Sequence, residues 1–156
     1  MTATISIAPV KKRIRVEVPQ ARAFDVFTNR IGAWWPRRAS IGSAKLKTVT
    51  IEPREGGAWF EEGEDGSRAT VGRVTIWDPP ARLVVSWDVN HRWKPDTTVS
   101  SEVEVVFTPD GPGATIVELE HRNFEALGQA GGESMRRDVD GGWPGILEAF
   151  RVAAEE

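Results

Sequence analysis

Residues 101–121 read SEVEVVFTPDGPGATIVELEH, two runs of alternating polar and apolar residues on either side of a turn rich in glycine and proline. Alternation with a period of two is typical of a strand that buries one face. The turn, residues 110–113, is too short for a parallel crossover, which needs a dozen or more residues. The stretch therefore predicts two antiparallel strands with one shared apolar face, formed by Val103, Val105, Phe107, Val117 and Leu119.

The same alternation recurs towards the N-terminus. Asp65-Gly66 is a hairpin-turn signal, and the other connections are also short, which favours antiparallel neighbours. The pattern predicts a curved antiparallel sheet of about seven strands. The predicted strands are residues 12–18, 47–52, 59–60, 70–77, 83–89, 102–107 and 115–121.

Two segments have helical periodicity instead. Residues 20–35, QARAFDVFTNRIGAWW, carry apolar side chains at steps of three and four, which indicates one amphipathic helix closed by Pro36. Pro144 either lies in the first turn of a C-terminal helix starting near Gly142 or distorts a longer helix starting near Gly132, and we favour the longer helix. The apolar face of this last helix is formed by Trp143, Ile146, Leu147 and Phe150.

A sheet with one apolar face needs a covering element, and the C-terminal helix is the largest one that the sequence offers. We therefore predict an α+β fold in β-α-β(6)-α order, with the sheet wrapped around that helix. The length of 156 residues fits a single domain, residues 1–156.

Composition narrows the function classes. A net charge of −3 argues against a nucleic-acid surface, and the absence of cysteine removes disulfides, thiolate nucleophiles and cysteine-based zinc sites. The two histidines have no metal-ligand spacing, and neither a nucleotide-binding glycine loop nor a serine nucleophile motif is present. No stretch resembles a membrane span or a signal peptide. The sequence thus predicts a cytoplasmic protein without a cofactor, a metal, a nucleic-acid partner or membrane insertion.

Seven tryptophans and no tyrosine concentrate the aromatic content in large apolar rings. A bent sheet that closes on one helix commonly leaves a hollow, and such hollows are mostly apolar. We predict that a small hydrophobic molecule occupies this hollow, the alternative being that the same side chains form a plain packed core. The predicted lining comprises Phe27, Trp34, Trp87, Trp93, His121, Phe124, Met135, Trp143 and Phe150.

His121 is the polar residue that strand parity turns inward, together with Val117 and Leu119. An inward histidine can orient a carbonyl or act as a general base near neutral pH, so His121 is a candidate catalytic residue. The alternative is a histidine that is hydrogen-bonded at the strand end. The other polar candidates are predicted elsewhere: His91 in a loop, Glu102 and Glu104 on the outer face, and Arg54, Arg92 and Lys94 at the pocket mouth or on the surface.

Five segments in this order resemble the activator-of-heat-shock-protein-ATPase homologue family, within the START and pollen-allergen-like superfamily. They read IRVEVPQARAFDVFTNRIGAWWP, TIEPREGGAWFE, GRVTIWDPPARLVVSWDV, SSEVEVVFTPDGPGATIVELEHRNF and GGWPGILEAF. The resemblance implies a helix-grip fold with a hydrophobic cavity for lipid, sterol or polyketide-like ligands. In some branches it implies cyclase or aromatase activity, and the family name implies contact with a chaperone ATPase.

Three hypotheses follow. The first is non-catalytic binding of a small hydrophobic molecule, and the second is a cyclase-like enzyme that uses His121 with an arginine from a loop. The third is a chaperone-interacting module. The oligomeric state stays open at this point, with a homodimer among the alternatives.

Overall fold

The computed structural model describes residues 6–156. Seven antiparallel strands form one sheet in the order β1-β7-β6-β5-β4-β3-β2, which confirms the predicted α+β class. The strands are β1 Val10–Val16, β2 Leu46–Ile51, β3 Ala58–Gly63, β4 Arg68–Asp78, β5 Arg82–Trp87, β6 Ser101–Pro109 and β7 Thr115–Arg122. Strands β2 to β7 form a meander, and β1 closes the far edge by pairing with β7.

The hairpin of β6 and β7 follows the predicted alternation. Its register pairs Val103 with His121 and Val105 with Leu119, so these four side chains share the inner face of the sheet. On the outer face Arg122 forms ion pairs with Glu102 and Glu104 at 2.6 Å and 2.7 Å. The prediction that both glutamates point outward is therefore confirmed.

The long C-terminal helix, α3, spans Gln129–Glu155 and includes Pro144 in its interior. This confirms the longer of the two predicted helices, although it begins three residues before Gly132. The inward face of α3 packs on the sheet because apolar side chains recur at helical spacing. The large buried side chains on this face are Met135, Val139, Trp143, Ile146, Leu147 and Phe150.

The prediction of one continuous helix over residues 20–35 is wrong. Helix α1 spans Gln20–Thr28, and a separate single turn, α2, spans Ile31–Trp34. Between them the N–H of Arg30 donates to the carbonyl of Asp25, five residues back. The Asp25 carboxylate accepts a hydrogen bond from the side-chain amide of Asn29. The phase of the apolar residues continues across this break, which is why periodicity alone did not reveal it.

A short 3₁₀ segment, Arg37–Ala39, follows α2 and leads towards β2. A second 3₁₀ segment, Phe124–Leu127, leads from β7 into α3. Among the described residues no helix is long and apolar enough to cross a membrane.

Candidate functional site

A groove of about 360 Å³ opens at one end of the sheet, between α3, the loop after β5 and the 3₁₀ segment Arg37–Ala39. Small-molecule sites usually have a volume of roughly 300–1,000 Å³, so this groove can hold a small ligand. Three tryptophans and three aliphatic side chains form its apolar surface, and three polar side chains lie among them. The full lining is Arg38, Ala39, Ser40, Trp87, Trp93, Asp138, Val139, Gly142, Trp143 and Ile146.

Each groove tryptophan comes from a different element. Trp87 is the last residue of β5, and Trp143 lies on the inward face of α3. Trp93 belongs to the loop after β5, where its backbone adopts a left-handed conformation with φ of 60°. The side-chain oxygen of Asn90 accepts hydrogen bonds from the N–H groups of Arg92 and Lys94, which folds this loop tightly around Trp93.

Trp93 is also held from the opposite wall. Its indole Nε1 donates to the carboxylate of Asp138 on α3 at 3.2 Å. Its ring lies edge-on to Trp87, with the centroids 6.0 Å apart. The loop after β5 is thereby joined to α3 across one end of the groove.

The third wall of the groove, formed by Arg38, Ala39 and Ser40, is held in place by the buried carboxylate of Glu61. Glu61 on β3 is only 2% exposed and accepts hydrogen bonds from the Ser40 hydroxyl at 2.7 Å, the Ile41 N–H at 2.9 Å and the Gly42 N–H at 3.1 Å. Hydrogen bonds of this kind satisfy the acceptor oxygens of a carboxylate that is buried away from water. Glu61 thus fixes Ser40, and with it the 3₁₀ segment that carries Arg38.

His121 lies behind the groove and has no exposed surface. The indole Nε1 of Trp143 donates to its Nδ1 at 3.2 Å, and its Nε2 lies 2.9 Å from the hydroxyl of Ser101. Because Nδ1 accepts, the proton of the neutral ring is on Nε2, which donates to Ser101. Burial lowers the pKa of His121 to about 3, so the ring is neutral at physiological pH and both nitrogens are occupied.

The indole rings form a chain of contacts from the groove into the core. Trp87 contacts Trp143 at a centroid distance of 5.9 Å and Trp59 at 5.5 Å, and Trp59 contacts Trp35 at 5.6 Å. In the part of the chain that the structure describes, the buried N–H groups of Trp59 and Trp87 have no hydrogen-bond partner. Most buried polar groups are paired, so these two donors are exceptions.

Little space lies deeper between the sheet and α3. An internal cavity of about 10 Å³, bordered by Phe27, Trp59 and Trp143, is too small for any organic ligand. The tryptophan-lined groove therefore lies at the mouth of the fold, beside α3, and not between α3 and the sheet.

The structure distributes the nine predicted lining residues over several places. Trp87, Trp93 and Trp143 meet in the groove, and Trp34 faces a separate groove of about 410 Å³ between α1 and the end of α3. Phe27 borders the small internal cavity. The others are packed in the core and do not reach the groove: His121, Phe124, Met135 and Phe150.

Sequence reasoning missed Arg38, Ser40, Asp138 and Gly142. Of the two placements considered for Arg54, Arg92 and Lys94, the pocket mouth and the surface, the structure agrees with the surface. His91, Arg54, Arg92 and Lys94 are exposed and lie outside the groove lining. Among residues 6–156 no group of three histidine, aspartate or glutamate side chains could hold a metal ion.

A family model described as Activator of Hsp90 ATPase homolog 1-like protein matches residues 17–155. The chain belongs to this family. The resemblance found in the sequence is thereby confirmed, and the helix-grip fold of this Activator of Hsp90 ATPase homolog 1-like chain agrees with it. No relative among curated proteins matches the chain.

Several solved structures are similar to this chain over most of its length. The structure titled anthrahydroquino-gamma-pyrone synthase Txn09 complexed with SUM is 34% identical, covers 94% of this chain and 97% of that chain, and superposes with a TM-score of 0.65. CalC from Micromonospora echinospora, described as a self-sacrificing resistance protein, is 28% identical over 94% of this chain and 93% of that chain, with a TM-score of 0.66. CalU16 from the same organism, 23% identical over 94% of this chain and 75% of that chain with a TM-score of 0.65, shows the fold alone.

Proposed function

We propose that this chain binds a small, mostly apolar aromatic molecule in the groove between α3, the loop after β5 and the 3₁₀ segment Arg37–Ala39. The observation that carries the proposal is the convergence of Trp87, Trp93 and Trp143 on a volume of about 360 Å³. Trp93 presents a partly exposed ring, and small parts of Trp87 and Trp143, which are 2% and 1% exposed, border the same space. Aromatic pairs contribute about 0.5–1.5 kcal/mol beyond the burial of area. A flat ring system fits this surface better than a flexible acyl chain does.

The polar rim supports one orientation of such a ligand. Arg38 is exposed at the groove and forms no ion pair with any described residue, whereas Asp138 on the other side is engaged by Trp93. A ligand with an acidic substituent would place that substituent at Arg38 and its rings against the tryptophans.

The relatives support a small-molecule role. Txn09 is named as an anthrahydroquino-gamma-pyrone synthase, and its structure is described as complexed with SUM. CalC is described as a resistance protein. The family resemblance implies three ligand classes: lipid, sterol and polyketide-like. Of these, the proposal takes the polyketide-like class.

The proposed role is binding without catalysis. Both ring nitrogens of His121 are hydrogen-bonded inside the core, so neither reaches the groove. We propose that His121 positions Trp143, which forms part of the groove surface. Ring closure on a bound polyketide-like substrate is the second candidate, supported by the 34% identity to a synthase.

Glycines of α3 provide a sharp test of the binding site. Gly142 lines the groove, and a Cβ added there would meet nothing within 4 Å outside the adjoining turns of α3, as is also true of its neighbour Gly141, which lies outside the groove. We expect the ring of Gly142→Phe to enter the groove. Gly141→Phe adds the same side chain to the same helix and serves as the matched control.

The measurement is quenching of tryptophan fluorescence by a panel of water-soluble fused-ring aromatic compounds. We expect Gly142→Phe to weaken binding by more than about tenfold, a loss of about 1.4 kcal/mol, while Gly141→Phe binds as the unaltered chain does. Equal binding by both variants would refute the groove as the site. Conversion of a bound polyketide-like compound, followed by mass spectrometry, would favour the second candidate.

Contact with a chaperone ATPase and formation of a homodimer stay predictions. The family match is the sole support for the chaperone contact, and a fold shared by a family does not carry one function. Co-purification with the chaperone and light scattering of the isolated chain test them separately.

A further inference from the structure

The side chain of Arg38 reaches across the mouth of the groove. Arg38 belongs to the 3₁₀ segment Arg37–Ala39, yet its guanidinium lies against α3 at Gly145. A Cβ at position 145 would lie 2.5 Å from Nη2 of Arg38, so the guanidinium occupies space that only a glycine leaves free. The positive charge is therefore placed at one end of the groove, between two of its walls.

The two arginines of the 3₁₀ segment have different surroundings. Arg37 donates a hydrogen bond to the carbonyl of Leu46 and thereby anchors the segment to β2. Within residues 6–156 the guanidinium of Arg38 has no ion-pair partner. A guanidinium can donate two parallel hydrogen bonds to one carboxylate, so Arg38 is suited to bind an acidic group of a ligand.

Asp138 places a negative charge at the other end. It is the second charged residue of the groove lining and accepts the indole N–H of Trp93 at 3.2 Å. Its ion-pair partner, Arg137, is 76% exposed and lies outside the groove lining. Asp138 precedes Gly145 by seven residues, which is two helical turns and about 10 Å along the same face of α3. The groove thus has a positive end and a negative end.

We propose that the groove selects a planar aromatic acid with one negative charge and binds it in one orientation. The carboxylate pairs with Arg38, the rings lie against the groove tryptophans, and the end of the ligand near Asp138 is uncharged. This inference rests on the proposed function and names the charge and the orientation of the ligand. A second acidic group at the far end would be repelled by Asp138.

Two probes of the same shape isolate the charge. Naphthalene carboxylate and naphthalene carboxamide, substituted at the same ring position, differ in that only the carboxylate is charged at neutral pH. Binding is followed through the indole cross-peak of Trp93 in a proton–nitrogen correlation spectrum, which Trp93→Phe assigns. We expect the carboxylate to bind about three- to tenfold more tightly, and we expect salt to reduce this advantage.

Variants that remove or displace the positive charge locate the pair. Arg38→Gln should remove most of the advantage of the carboxylate over the carboxamide. Arg92→Gln removes the same charge from an exposed arginine outside the groove lining and is the matched control. Gly145→Ala displaces the guanidinium and should reduce the advantage, whereas Gly141→Ala, whose methyl group meets nothing within 4 Å outside the adjoining turns of α3, should not.

A dicarboxylate tests the orientation. Naphthalene with carboxylates at its two opposite ends places one of them beside Asp138 when the other pairs with Arg38, so it should bind at least about threefold more weakly than the monocarboxylate. Asp138→Asn removes the negative charge, keeps an oxygen that can accept the N–H of Trp93, and should abolish this difference. Asp78→Asn, at an exposed aspartate of β4 outside the groove lining, is the matched control.

The outcomes separate the inference from the proposed function. Equal affinities for the carboxylate and the carboxamide, an advantage that survives in Arg38→Gln, or a dicarboxylate that binds as tightly as the monocarboxylate would overturn the inference and leave the proposed function in place. Failure of both naphthalene probes to move any groove tryptophan cross-peak would overturn the two together.

Discussion

The indole N–H of Trp143 donates a hydrogen bond to Nδ1 of His121 across 3.2 Å, and this bond joins α3 to β7 inside the core. The histidine continues to Ser101 on β6 through Nε2. One neutral imidazole therefore connects the helix to two strands, and it fixes the ring that forms the back of the groove.

Removing the imidazole should destabilise the fold. In His121→Phe the indole N–H of Trp143 loses its acceptor and the hydroxyl of Ser101 loses the N–H that donates to it, so we expect the free energy of unfolding to fall by about 1–3 kcal/mol. Urea denaturation followed by tryptophan fluorescence measures the change. His91→Phe alters the other, exposed histidine and should change the free energy of unfolding by less than about 0.5 kcal/mol.

The same histidine should make stability depend on pH. Burial lowers the pKa of His121 from 6.5 to about 3, so the unfolded chain takes up a proton near pH 6.5 that the folded chain excludes down to about pH 3. The stabilisation is complete above pH 6.5 and is lost as the pH falls through this window, at up to about 1.4 kcal/mol per pH unit.

Subtracting the pH dependence of unfolding measured for His121→Phe from that of the unaltered protein isolates the contribution of His121. His91 is present in both proteins, and most carboxylates stay ionised above about pH 5, so their contributions largely cancel between about pH 7 and pH 5. Parallel pH dependences of unfolding in the two proteins would show that His121 does not titrate as its burial requires.

Glu61 should support the groove from a distance. Glu61→Ala leaves the N–H groups of Ile41 and Gly42 and the hydroxyl of Ser40 without their acceptor. We expect a loss of about 1–3 kcal/mol in the free energy of unfolding, together with weaker binding of aromatic probes.

Glu62→Ala is the matched control. The side chain of Glu62, next to Glu61 in the chain, is half-exposed and accepts none of these hydrogen bonds. Glu61→Gln keeps one acceptor oxygen and should give an intermediate loss of stability. If Glu61→Ala and Glu62→Ala unfold and bind alike, Glu61 does not hold this wall.

Gly72 should not tolerate a side chain. In Gly72→Ala the new methyl group would lie 1.8 Å from the Ser86 carbonyl oxygen, so β4 and β5 must separate beside Trp87. Overpacking of this kind typically costs about 1–3 kcal/mol, sometimes more. Thermal unfolding measures the loss, and Gly113→Ala, whose methyl group would meet nothing within 4 Å, should unfold near the original temperature.

Much of the fold could be predicted because it is encoded locally. The alternation in residues 101–121 predicted β6, β7 and their inner face, and the register of Val105 with Leu119 agrees with it. The helical spacing of Trp143 and Phe150 likewise predicted the buried face of α3. The break after Thr28 could not be predicted from periodicity. The hydrogen bond from the N–H of Arg30 to the carbonyl of Asp25 ends α1, but the apolar residues keep their helical spacing across it.

The candidate site could be predicted only in part. Tryptophans at positions 87, 93 and 143 stood out by their size and apolar area, which the sequence shows directly. Arg38 and Asp138 did not, because they are a hundred residues apart in the chain and face the same groove only after α3 packs on the sheet.

The sequence by itself determined that an antiparallel sheet holds a C-terminal helix, since periods of two and of three to four residues fix which side chains face inward. The tertiary structure alone decided that the tryptophan-lined groove lies at the mouth of the fold and that His121 is buried behind it. Packing fills the interior wherever side chains fit together, and that fit depends on distances between segments remote in the chain.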